Sequence, residues 1–127
     1  FYGRRVRVEH WANALNQGAH AGRVMAGREE PYERLPYFFS DQFDLGMEYS
    51  GLADPAAPVV VRGDRRTREL IAFWLDEEGR VAAGMNVNVW DVNDQVQELI
   101  RSRAVVDRDA LADPDVPLER VARARTP

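Results

Sequence analysis

A change of hydrophobic period at a proline-bracketed segment constrains this chain more than any other feature. Residues 27–36 read Gly-Arg-Glu-Glu-Pro-Tyr-Glu-Arg-Leu-Pro, a polar run holding Pro31 and Pro36. Proline removes a backbone donor and pushes the residue before it toward extended geometry, so no helix runs through this stretch. Before it, apolar residues recur at helical spacing. After it, they alternate or fall in short β-branched and aromatic runs. The segment therefore reads as a linker between two units.

The first unit is small. From about His10 to Ala26 the spacing predicts one helix, with Trp11, Leu15, Gly18/Ala19, Gly22 and Met25 on a single stripe and Gly27 as the stop. Val6 and Val8 alternate with arginines, which predicts a short extended lead-in over residues 4–8. Much of the stripe is alanine and glycine, which lets a helix approach a sheet or cofactor closely. One helix cannot bury its own stripe. Residues 1–26 are thus expected to be the tail of a larger domain, an expectation that suits a chain starting at Phe1 rather than methionine.

The second unit begins as strands. Tyr37-Phe38-Phe39 is aromatic, and residues 42–50 alternate around Phe43, Leu45, Met47 and Tyr49. Val59–Val61 is β-branched and is followed by a turn at Arg62-Gly63-Asp64-Arg65. Glu69–Leu75 and Arg80–Val89 are two further strands, joined by the hairpin turn Asp76-Glu77-Glu78-Gly79. The short loops predict antiparallel neighbours. A helix is expected from Asp91, as N-cap, to Arg103, burying Val92, Val96, Leu99 and Ile100. Short helices near Asp107–Ala112 and Leu118–Ala124 close the chain. Strands followed by helices make an α+β fold.

Composition removes several functions. There is no cysteine, hence no disulfide scaffold, thiol catalysis or cysteine-held metal cluster. The two histidines, His10 and His20, are ten residues apart, and the acidic residues fall mostly in turns, so no metal site is expected. No Gly-x-Ser-x-Gly elbow and no glycine-rich phosphate cradle occur. No apolar run is long enough to span a bilayer, and no signal peptide is visible. All 17 basic residues are arginine, yet the formal charge is −4, which disfavours nucleic-acid binding. Arg4, Arg5 and Arg7, and again Arg62, Arg65, Arg66 and Arg68, form clusters that read either as contacts for an acidic partner or as solvated turns.

Two clusters carry chemistry. Glu9, His10 and Trp11 sit at a helix start, where free N–H groups and partial positive charge suit an electron-rich oxygen or a ring that becomes anionic on reduction. Asn13 and Gln17, four apart, share a face of that helix. The plainer reading makes Trp11 a core aromatic and His10 a surface cap. The other cluster, Leu35-Pro36-Tyr37-Phe38-Phe39-Ser40-Asp41-Gln42-Phe43, sets four aromatics beside polar groups. It fits a planar ligand, an interface, or ordinary packing at a strand start.

Together the clusters resemble one family. Val-Glu-His-Trp-Ala-Asn-Ala, then a polar linker, then Pro-Tyr-Phe-Phe-Ser-Asp-Gln-Phe and a strand ending in Gly51-Leu52-Ala53 are similar to the C-terminal part of FAD-dependent ferredoxin reductases. These are the enzymes of the putidaredoxin-reductase and aromatic-ring-dioxygenase type, with apoptosis-inducing factor more distant. The resemblance implies that residues 1–27 are the closing helix of an FAD domain, 28–36 a linker, and 37–127 an α+β domain with a roughly five-stranded antiparallel sheet. It implies a cytoplasmic enzyme moving electrons from NAD(P)H through FAD to an iron–sulfur ferredoxin, with this fragment alone inactive and holding neither FAD nor NAD(P)H tightly. It places Glu9, His10 and Trp11 beside the flavin and nicotinamide. Phe39 takes a flavin-approaching position where relatives often have tryptophan, and it brings no N–H donor. It assigns no catalytic residue. The implied partners are the ferredoxin, approached through arginines such as Arg4, Arg5 and Arg7, the FAD and NAD domains, and a second copy in a homodimer. The competing expectation is a non-catalytic interaction or dimerisation module.

Overall fold

The structure, a computed structural model, describes residues 1–122. Helix α1 (Trp11–Met25) comes first. Five strands follow: β1 (Tyr37–Gln42), β2 (Leu45–Gly51), β3 (Val59–Asp64), β4 (Glu69–Leu75) and β5 (Val81–Val87). Helices α2 (Asn93–Ser102) and α3 (Arg108–Ala112) and a 3-10 turn at Leu118–Arg120 complete the chain. The strands form one antiparallel sheet in the order β1-β2-β5-β4-β3. The expected α+β class and strand number hold.

Register sorts the side chains onto two faces, because opposed residues of an antiparallel pair point the same way. One face carries Ser50, Phe73, Gly84, Asn86 and Val60, and α2, α3 and the 3-10 turn lie on it. Val96, Leu99, Ile100, Leu111, Leu118 and Val121 close the core there, all buried. Gly84 lets Val96 sit against the strand, since a Cβ at Gly84 would overlap the valine. The other face carries Phe38, Met47, Tyr49, Met85 and Trp74, which stay half-buried. Among the described residues no helix lies across it.

Several expectations change. The lead-in over residues 4–8 joins no ladder and stays outside the sheet. Phe43 leaves the alternation: it is a turn residue between Gln42 and Leu45 with φ 58, and fully exposed. β2 and β3 are not neighbours. Residues 52–58 carry the chain to the far edge, and β5 takes the place beside β2 through Met47↔Val87 to Gly51↔Ala83. Asp91 does not cap α2: it sits one residue before the cap, in left-handed geometry with a φ of 60, and Val92 holds the cap position without a side-chain cap bond. The expected helix at 118–124 is one 3-10 turn, and residues 123–124 lie outside the described ones. By contrast, Asp107 does cap α3, its carboxylate accepting from the Asp109 and Ala110 amides.

The linker is more ordered than its composition suggests. It folds back along α1: the Tyr32 hydroxyl donates to Asn13 Oδ1 at 3.1 Å, and Arg23 pairs with Glu30 at 2.7 Å. Leu35 and Pro36 are buried against the second unit. No residue of α1 is itself buried. Limited trypsin treatment of this chain should therefore cut first at exposed Arg28 and leave a resistant core from near Leu35 onward. Full protection at Arg28, read by mass spectrometry, would mean that another surface covers α1 and its return segment.

Candidate functional site

The two clusters picked out in the sequence meet at the start of α1. His10 is its N-cap, in extended geometry, and makes no side-chain cap bond. The first turn holds no acidic residue, so its amides are left to an external acceptor. Asn13 Nδ2 donates to the Val8 carbonyl at 3.2 Å and to Gln17 Oε1 at 3.2 Å, tying the lead-in to the helix. Glu9 is exposed and pairs with Arg7 at 2.8 Å. Trp11 is 72% exposed, which rules out the core role within this chain.

His10 joins the two units. Its ring lies 4.6 Å from that of Phe38, centroid to centroid. Phe38 stacks on Tyr49 at 5.2 Å, and Tyr49 meets Trp74 edge-on at 5.5 Å. The row of rings crosses the open sheet face from the start of α1 to β4. His10 Nδ1 is buried there without a hydrogen-bond partner among the described residues.

Phe39 does not join this row. Neighbouring residues of a strand point to opposite faces, so Phe39, 56% exposed, emerges on the side of α2. There it lines a cleft of about 530 Å³ with Tyr37, Asp41, Glu48, Trp90 and Asp94. The sequence clusters thus bring His10 onto Phe38, while Phe39 lies on the far side of the same edge strand. The Glu48 carboxylate accepts from the Tyr37 hydroxyl at 2.8 Å and from Asn86 Nδ2 at 3.0 Å. Burial first, then the hydrogen bond to Glu48 and the charge of Glu48, push the Tyr37 phenol up to about 12, so it stays a donor at neutral pH. Asn86, fully buried, also donates to the Val89 carbonyl and so fixes the start of the loop carrying Trp90.

Trp90 is the residue sequence reasoning passed over. It follows β5, where periodicity has ended, and its indole packs over Gly46, leaving no room for a Cβ there. Its signal was a lone tryptophan in a polar connection, Asn-Val-Trp-Asp-Val-Asn, where neither strand nor helix burial accounts for it. Among the described residues no group of His, Asp and Glu side chains gathers as metal ligands, and no helix is long and apolar enough to cross a membrane.

A sheet clad with helices on one face, open and aromatic on the other, and preceded by an unburied helix defines an α+β domain of the kind that packs against a further unit. Residues 37–122 match the family described as Reductase C-terminal, and the chain belongs to it. The chain is similar to the ferredoxin–NAD(+) reductase component of an anthranilate 1,2-dioxygenase system from Burkholderia cepacia, with 37% identity over 92% of this chain and 29% of that protein. It is 40% identical to the ferredoxin reductase subunit of a 5,5'-dehydrodivanillate O-demethylase from Sphingobium, over 97% of this chain and 30% of that one. Among solved structures, the covalent putidaredoxin reductase–putidaredoxin complex superposes with a TM-score of 0.81 at 31% identity, covering 93% of this chain and 28% of that chain. The chain therefore spans about three-tenths of the length of the curated relatives it matches.

Proposed function

We propose that this chain is the C-terminal part of a flavoprotein that passes electrons from NAD(P)H through FAD to an iron–sulfur ferredoxin in the cytoplasm. One observation carries the reading. The match to reductases covers 97% of this chain, so it includes α1 and the lead-in, which lie outside the 37–122 family domain. Two units that continue together in whole reductases are expected to do so here. Residues 1–27 then close the FAD domain, 28–36 link, and 37–127 form the C-terminal domain. The unburied stripe of α1 and the open sheet face are the surfaces that the FAD and NAD domains would cover.

The residues present fit a flavin. The α1 start offers amides with no side-chain cap and no competing carboxylate in the first turn, and His10 Nδ1 is a buried polar atom still lacking a partner. Bound FAD supplies the chemistry, taking a hydride and releasing single electrons. With FAD bound, the free amides of the first turn of α1 would stabilise the negative charge the flavin gains on reduction. Trp11, exposed in this chain, and Glu9, paired with Arg7, would border the bound flavin, with Trp11 keeping water from it. Phe39, exposed on edge strand β1, would approach the flavin from the C-terminal domain. Exposed Arg4 and Arg5 supply positive charge for an acidic ferredoxin.

Anaerobic NADH added to the intact gene product tests this: flavin bands that bleach support the reading, and a folded product without flavin overturns it. In that flavoprotein Trp11→Ala should shift the flavin absorption or slow its reduction. In the present chain the same change should move stability by no more than about 0.5 kcal/mol, because the side chain is exposed. An unaltered spectrum and reduction rate would leave Trp11 a packing residue only.

A further inference from the structure

We infer that the cleft between Phe39 and Trp90 receives an arginine side chain presented by a partner protein. Its walls are two rings, 56% and 55% exposed, set on different elements: Phe39 on edge strand β1 and Trp90 on the connection from β5 to α2. Around them stand Asp41, Glu48, Asp91 and Asp94. None of the four pairs with an arginine among the described residues, whereas Asp44, Asp64 and Asp76 each do. The hydrogen bonds onto Glu48 come from two neutral groups, Tyr37 and Asn86. Negative charge here is thus left without a cation among the described residues.

The shape selects the occupant. The four carboxylates surround the cleft without converging on one point, and they form no group able to hold a metal ion. A compact ion would satisfy one carboxylate and leave the others. A guanidinium is flat and delocalised, offers five donors in a fork, and stacks on aromatic faces. It can lie against either ring while its donors reach carboxylates on both sides. An ammonium is a strongly hydrated point charge and loses the stacking. A cleft of about 530 Å³ admits the side chain with its stem.

The seat is held in place. Trp90 rests on Gly46, whose amide donates to Asn88 Oδ1 at 2.9 Å, and the Asn88 amide donates back to the Gly46 carbonyl at 2.9 Å. This rests on the reductase reading in one respect. If Phe39 borders the flavin, the cleft opens where the electron acceptor docks, and the arginine belongs to that acceptor.

The test uses this chain without flavin, so its failure is distinguishable from failure of the reductase reading. The peptide N-acetyl-Gly-Arg-Gly-amide is titrated while the Trp90 indole N–H and the Phe39 and Asp94 amides are followed by NMR. Citrulline and lysine versions of the peptide serve as comparisons. Saturable shifts are expected at these groups with arginine, and about tenfold weaker binding with citrulline, which keeps the shape without the charge. Lysine should fall between. The pair Asp91→Asn with Asp94→Asn should weaken arginine binding about fivefold with the remaining spectrum unchanged, since asparagine tolerates the left-handed backbone at 91. Equal binding of arginine and citrulline, an unmoved Trp90, or full affinity in the double variant overturns the proposal. So does lysine binding as tightly as arginine. Shifts at Trp90 that follow protein concentration without peptide would assign the cleft to a second copy instead.

Discussion

Gly84→Val should lower the stability of this chain by about 3 kcal/mol, the upper part of the range for an overpacked core. Gly84 lies on β5 beneath α2. A side chain there runs into Val96 Cγ1, and Phe73 Cδ1 lies 3.5 Å from the same point. Both neighbours are fully buried and neither is a flexible chain end. Val96 is held at one rotamer by its branched Cβ, so α2 must lift, moving Asn93 and Asp94 at the cleft with it. Urea unfolding measures the loss. Gly22→Ala is the matched control. That glycine sits exposed in the last turn of α1 with nothing within 4 Å of an added Cβ, and alanine there should stabilise the helix by up to about 1 kcal/mol. A Gly84→Val variant as stable as the parent would mean α2 does not rest on β5 as described.

Arg62→Ala is expected to cost about 2–3 kcal/mol, the range for hydrogen bonds made by a charged donor. Arg62 extends from β3 and its guanidinium donates to the carbonyls of Asp113 at 2.6 Å, Pro114 at 3.1 Å and Val116 at 2.7 Å. These carbonyls lie on the turn after α3, where no ladder pairs them. Removing the guanidinium unties this turn from β3 and leaves the part-buried Val116 carbonyl short, while Asp113 keeps the Val116 amide. Arg62→Lys should recover only part of the loss, because one ammonium cannot fork across three carbonyls. Urea unfolding of both variants, with hydrogen exchange at the Val116 and Leu118 region, reads the effect. Equal stability of Arg62→Ala and the parent would return Arg62 to a solvated turn residue.

Arg62 also shows where sequence reading stopped. Among Arg65, Arg66 and Arg68 it looks like one more turn charge. Nothing local says that one of the four reaches a segment some fifty residues away. Trp90 is similar, since its partner Gly46 comes from another hairpin. The helix-start cluster was legible because its meaning is local: an N-cap, free amides and a following stripe lie within a few residues. Phe39 was legible only as one of a cluster of aromatics suited to a ligand, an interface or packing, because which side of β1 it faces depends on the register with β2.

The sequence by itself determined the break at the linker, the helical stripe before it, and the strand-then-helix order. It also determined the hairpin at Asp76–Gly79 and the membership carried by the two motifs. All of these rest on short-range period, turn chemistry and residue type. Only the tertiary structure decided that β5 lies between β2 and β4, since adjacency in a sheet depends on which apolar faces can be buried together. It alone set His10 on Phe38 and folded the linker back on α1. It also closed Phe39 and Trp90 around one acidic cleft, because those contacts join residues whose separation along the chain carries no record of their distance in space.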